Sequence, residues 1–161
     1  MKKLLLVILV AFSCVSLSFG QDFSLDELTK LRTMPYPQFE TYVHDKGYEL
    51  SHLEYNERCT VFRNGSSVIS YCHYYDDGYS YHNHVAIKFE TSNKDTYEKL
   101  KHQVEASMTY HRTKLRRFNN QHYMEHVYVN DAVSCHMYDI AYRDDPKPYY
   151  EIELYSIYSA W

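Results

Sequence analysis

The chain has 161 residues, with 17 Lys and Arg against 21 Asp and Glu, and 19 of its residues are tyrosine. A net charge of −4 with no basic stripe argues against nucleic-acid binding, whose affinity comes from neutralising phosphates; the short Lys114–Arg117 run is too small to change that. Beyond residue 20 no stretch is long and apolar enough to cross a membrane.

Residues 1–20 read as a secretory signal peptide. Lys2 and Lys3 form a basic start, Leu4 to Val15 is almost continuously apolar, and Ser18-Phe19-Gly20 supplies small residues for cleavage. Cys14 follows Ala-Phe-Ser, a poor lipoprotein box. The reading therefore predicts cleavage after Gly20 and a secreted or periplasmic protein. Residues 21–161 would form a single domain in which 15 basic residues face 21 acidic ones.

Ser24-Leu-Asp-Glu27 is a capping box, with Phe23 and Leu28 placed as a hydrophobic staple, so a short helix runs to about Arg32. Pro35 and Pro37 break it and open a second helix with Phe39, Tyr42 and Val43 on its apolar side, stopped at Gly47. Strands are predicted near 48–55, 58–63, 68–76 and 84–90, and Arg63-Asn-Gly-Ser-Ser67 turns the second into the third. Ser92-Asn-Lys-Asp95 then starts a third helix carrying Tyr97, Leu100 and Val104. Strands follow near 107–117, 122–129, 132–142 and 149–158, with a turn at Asn130-Asp131.

The fold class expected is α+β: an antiparallel sheet with helices packed on one face, built from a helix-plus-four-strand unit used twice, over 36–90 and 92–158. Cys72-His73, Tyr75, Asp76 and Tyr79 recur as Cys135-His136, Tyr138, Asp139 and Tyr142, on the third strand of each unit. This order of elements resembles the architecture of the β-lactamase inhibitory proteins, without a shared motif.

Successive strand residues point to opposite faces, so Cys72 and His73, or Cys135 and His136, cannot hold one metal ion. His82 with His84, and His122 with His126, are no better as ligand sets. No cofactor or metal is expected. Catalytic signals are equally thin. There is no nucleophile elbow and no glycine-rich phosphate loop, and Cys135 diverges from His136. Glu151 and Glu153 share a face with Tyr149 and Tyr155 and would suit a glycosidase only if a pocket held them at the right separation.

Face assignment leaves Val68, Ser70, Cys72 and Tyr74, with Val133, Cys135 and Met137, under the helices. Tyr71, His73, Tyr75, His136 and Tyr138 then point outward, joined by Tyr149 and Tyr155 from the last strand. Tyrosines of this kind form cross-strand ladders or a binding surface for a protein or an envelope glycan. A non-catalytic binding module is the leading reading. A small secreted hydrolase and a structural envelope component are the rivals.

If Gly65-Ser66 forms the two-residue turn, Asn64 faces Ser67 and Cys59 lands opposite Cys72, close enough for a disulfide. A turn at Asn64-Gly65 would pair Cys59 with Ser70 instead. An Asp131-Ala132 turn puts Tyr128 opposite Cys135, which is left as the free thiol.

Overall fold

The computed structural model describes residues 22–51, 59–74, 84–118, 121–140 and 149–156. The expected leader, residues 1–20, lies outside them. Among the described residues are three helices, α1 (Leu25–Thr33), α2 (Tyr36–Asp45) and α3 (Lys94–Ser107). Eight strands accompany them: β1 (Glu49–Leu50), β2 (Cys59–Asn64), β3 (Ser67–Tyr74), β4 (His84–Thr91), β5 (Thr109–Phe118), β6 (Gln121–Val129), β7 (Val133–Ile140) and β8 (Tyr149–Ser156). All eight make one antiparallel sheet in the order β1-β2-β3-β4-β8-β7-β6-β5, so two meanders meet where β4 pairs with β8. The class is α+β.

The local signals work as the sequence implies. Ser24 and Glu27 exchange both capping-box hydrogen bonds, and Gly47 ends the second helix region at φ 83°, where glycine carries no steric cost. At α3 the cap is Asn93, one residue later than expected. Its side chain accepts hydrogen bonds from the amides of both Asp95 and Thr96, the role an N-cap asparagine is suited to.

The helices cover one face, over the centre of the sheet. α1 and α3 both pack on β4 and β8, and the Leu25 amide donates to Gln103 Oε1 at 2.7 Å, tying the two helices together. Phe39 of α2 reaches Phe62 and Tyr71 on β2 and β3, with ring centroids 5.7 and 4.9 Å apart. Phe62, Ile69, Tyr71, Ile87, Phe89, Ile152, Leu154, Cys135 and Met137 belong to this core with the helices' apolar residues.

Register shows which expectations about faces hold. Asn64 faces Ser67 around the Gly65-Ser66 turn, with Gly65 at φ 56°. Cys59 falls opposite Cys72, their Cα atoms are 4.0 Å apart, and the sulfurs are joined. Tyr128 faces Cys135, which is free and buried.

The β3 face assignment is overturned. Cross-strand partners share a face, and Tyr71 pairs with Ile87, which pairs with Leu154, which pairs with Cys135. Tyr71 and His73 therefore lie on the helix face, while Cys72, opposite Ala86, lies on the other. The reason is that β3 is buried on both sides: Val68, Ile69, Ser70, Tyr71 and Cys72 are all inside. No polar-apolar alternation was there to reveal the inward side. The matched Cys-His motifs consequently sit on opposite faces of the sheet.

Candidate functional site on the helix-free face

Among the described residues, no helix or strand packs on the second face of the sheet. Side chains reach it from alternate positions of each strand: Lys88 and Glu90 on β4, Tyr149, Glu151, Glu153 and Tyr155 on β8, and Ser134, His136 and Tyr138 on β7. Tyr123 and Glu125 on β6 and Arg116 on β5 complete the set. A polar band thus runs across five adjacent strands.

Glu125 anchors one end. It is fully buried, and its two oxygens accept from Arg116 Nε at 2.7 Å, Arg116 Nη2 at 3.0 Å and the Tyr138 hydroxyl at 3.1 Å. His136 Nδ1 lies 2.8 Å from the same carboxylate. Burial alone would raise this carboxyl. The hydrogen bonds from Arg116 and His136 outweigh it and hold Glu125 down at about 2. The same bond to Glu125 raises the Arg116 guanidinium.

Tyr138 sits at the middle, with one proton for two acceptors. Its hydroxyl lies 3.1 Å from Glu125 Oε1 and 3.0 Å from Glu153 Oε2, while Tyr155 also donates to Glu153 Oε2. Burial, then the charge of Glu153, pushes the Tyr138 phenol far up, so it stays a neutral donor. Its ring meets Tyr123 edge-on at 5.8 Å, and His136 meets Tyr155 at 4.9 Å.

The other end gathers three carboxylates, two of them on one ammonium. Lys88 Nζ lies 2.6 Å from Glu90 and 2.9 Å from Glu151, and Glu153 is its partner across the strands. Burial would lower Lys88, yet the charges of Glu151 and Glu90 raise it overall. Glu151 goes the opposite way from Glu125. Burial pushes it up to about 7; Lys88 pulls against this, and Glu153 and Glu90 reinforce it. One lysine cannot neutralise three buried carboxylates, so the cluster retains a proton into the neutral range.

His136, Tyr138, Tyr149 and Tyr155 of the expected face come together here, but His136 and Tyr138 are buried rather than outward-facing, because Glu125 and Glu153 draw their polar atoms into the band. Tyr71 and His73 do not. Tyr71 is a core pillar, ringed by Tyr36 and Phe39, with its hydroxyl donating to the Met34 carbonyl at 3.1 Å. His73 lies beside it, with ring centroids 5.2 Å apart. Tyr75 lies outside the described residues. Sequence reasoning missed Glu125, Arg116, Tyr123, Lys88 and Ser134. Strand alternation with the consecutive pairing of β5 to β8 could have grouped Arg116, Tyr123, Glu125 and Ser134, whereas Lys88 joins them only through the β4–β8 junction, which no neighbour in sequence dictates.

Two chemical readings can be weighed on this geometry. Ser134 Oγ is 3.0 Å from His136 Nε2, whose other nitrogen faces Glu125, which is the connectivity of a nucleophile, base and acid. Ser134 has 0 % exposure, however, so no substrate carbonyl reaches its hydroxyl. Glu151 and Glu153 do share a face, as a glycosidase pair would, but both are buried and committed to Lys88, Tyr138 and Tyr155. Among the described residues, no three His, Cys, Asp or Glu side chains converge as a metal site.

Comparison of the chain with protein-family models, with curated proteins and with solved structures gives no match. The resemblance in element order to the β-lactamase inhibitory proteins is joined by no structural likeness, and the functional argument rests on the band itself.

Proposed function

We propose that this is an exported, non-catalytic binding module that engages a protein or an envelope glycan through its helix-free sheet face. The observation that carries the reading is that Arg116 and Tyr155 are hydrogen-bonded to the buried band at its border, with Tyr123 packed on the Tyr138 ring. The Arg116 side chain is 45 % exposed while its guanidinium is clamped by Glu125, and Tyr123 and Tyr155 are half-buried. Side chains already held in one rotamer lose little entropy when a partner arrives, and tyrosine and arginine are the residues that anchor binding surfaces. Export rests on the Met1–Gly20 pattern, and no described helix is long and apolar enough to cross a membrane.

The tandem origin belongs with this proposal. A helix followed by four strands occurs twice in chain order, and the two sets meet through their last strands. In such a duplication the counterpart of Cys135 is a helix-side residue of β3 such as Tyr71, and the Cys72 match is coincidental. The test of function is capture of envelope components by residues 21–161, compared with an Arg116→Ala/Tyr123→Ser variant. Because Arg116 is the bidentate partner of the buried Glu125, the variant should melt earlier, and loss of capture at a temperature where circular dichroism shows it still folded supports the reading.

A hydrolase is the second reading, favoured only by the Ser134–His136–Glu125 connectivity. Labelling of Ser134 by a fluorophosphonate would establish it, and an inert serine would remove it.

A further inference from the structure

β5 is the last strand of the sheet, paired with β6 on one side and, among the described residues, with nothing on the other. It is also the longest strand among the described residues, ten residues reading TYHRTKLRRF. An edge of that length offers a row of outward amides and carbonyls as a template for another strand. From Arg112 to Phe118 its register with β6 is unbroken, a straight run of about 23 Å at strand rise.

Two independent features of this edge point to one kind of occupant. The first is charge. Arg112, Lys114, Arg116 and Arg117 lie on β5 without a single Asp or Glu, in a chain whose acidic residues outnumber its basic ones. The second is apolar exposure. Large exposed hydrophobics on the described residues are Leu50, Tyr110, Leu115 and Met124, and the last three belong to the β5–β6 hairpin, at 54, 66 and 43 % exposure. Leu115 faces Met124 across the strands, on the side opposite to Lys114 and Arg116. Arg112, Lys114 and Arg116 thus share one side of the edge, Arg116 already bonded to Glu125, while the other side carries Tyr110 and Leu115 with Arg117 beyond them. Lysine on an edge strand commonly serves to discourage pairing, but that purpose does not account for the exposed Leu115–Met124 pair beside it.

We propose that β5 docks an extended acidic segment of a partner protein as a further strand of the sheet. The segment alternates carboxylates, facing Arg112, Lys114 and Arg116, with apolar residues facing Tyr110, Leu115 and Met124. A second copy of this chain is not the occupant, because β5 against β5 sets arginine and lysine against their own kind, and like charges placed opposite each other are destabilising. The inference concerns the backbone edge of the sheet; it shares Arg116 with the helix-free face, and its test leaves Arg116 unchanged so that the two readings fail separately.

The test uses residues 21–161, isotopically labelled, with a fluorescein-tagged peptide of seven residues alternating Glu and Val. Saturable binding is expected, with amide shifts confined to Thr109–Phe118 and Gln121–Val129. A Lys-and-Val peptide should bind at least tenfold more weakly. N-methylation of alternate peptide amides should abolish binding in one frame and spare it in the other, since only one set of amides faces β5. Lys114→Gln/Leu115→Asn, both changes at sites outside the core, should lower affinity at least tenfold with the fold retained by circular dichroism. No saturable binding overturns the proposal. So do shifts elsewhere, equal binding by both N-methylated frames, unchanged affinity in the double variant, or a dimer in sedimentation that the same variant dissolves.

Discussion

Replacing Glu151 by glutamine should make the domain more stable at alkaline pH, although it removes one partner of an ion pair. Glu151 is raised from an ordinary 4.5 to about 7 by burial, and its side chain is 11 % exposed, so solvent screens it little. The folded state thus holds a proton that the unfolded chain gives up above pH 4.5. Stability from this group is full below that pH and falls as pH rises to about 7. A shift of this size corresponds to about 3 kcal/mol, at about 1.4 kcal/mol per unit. Glutamine has the shape of the protonated acid and cannot ionise. Urea unfolding of wild type and Glu151→Gln at pH 5 and pH 8 isolates the effect, because every other titrating group is common to both. At pH 5 the two should agree within about 1 kcal/mol, the worth of one altered hydrogen bond. At pH 8 the variant should lead by up to about 3 kcal/mol. A variant that is less stable than wild type by the same margin at both pH values would refute the reasoning, since the Lys88–Glu151 attraction would then outweigh the crowding by Glu90 and Glu153.

Tyr71→Phe should cost about 1 kcal/mol for the lost bond to Met34, whereas Tyr71→Ser, which empties the space beside Phe39, should cost about 3–5 kcal/mol by thermal melting. Replacing Cys59 and Cys72 together by alanine should cost about 3 kcal/mol in chemical denaturation, the chain entropy of a short closed loop, and peptide mapping without reductant should show these two joined. Cys135 is fully buried with its thiol pushed up, so iodoacetamide should label it only after unfolding. Because Tyr138 is buried between two carboxylates, Tyr138→Ser should lower stability whatever the protein binds, and it cannot serve as a clean probe of binding.

Much of the fold was legible because the deciding residues are local. Ser24 and Glu27 sit three apart and cap each other; Gly65 takes the positive φ its turn needs, and that one turn sets the register from Asn64–Ser67 out to Cys59–Cys72. The inward side of β3 was not legible. Strand alternation identifies a face only when one face is wet, and Val68 and Ile69 are both buried. The shared Cys-His pattern then suggested a false equivalence between Cys72 and Cys135. The polar band was hidden for another reason. Glu125, His136 and Glu153 come from the consecutive strands β6, β7 and β8, but Lys88 joins them only because β4 pairs with β8, a choice made by packing and not by any neighbour in sequence.

The most direct measurement is paired capture from envelope extract and on a glycan array. It compares wild-type residues 21–161, the Arg116→Ala/Tyr123→Ser variant, and a Lys99→Ser control on the exposed side of α3. The account predicts that wild type and the Lys99 control retain the same ligand while the Arg116/Tyr123 variant, still folded by circular dichroism at the assay temperature, loses it. Equal retention by all three proteins, or loss in the Lys99 control alone, would contradict the assignment of function to the helix-free face.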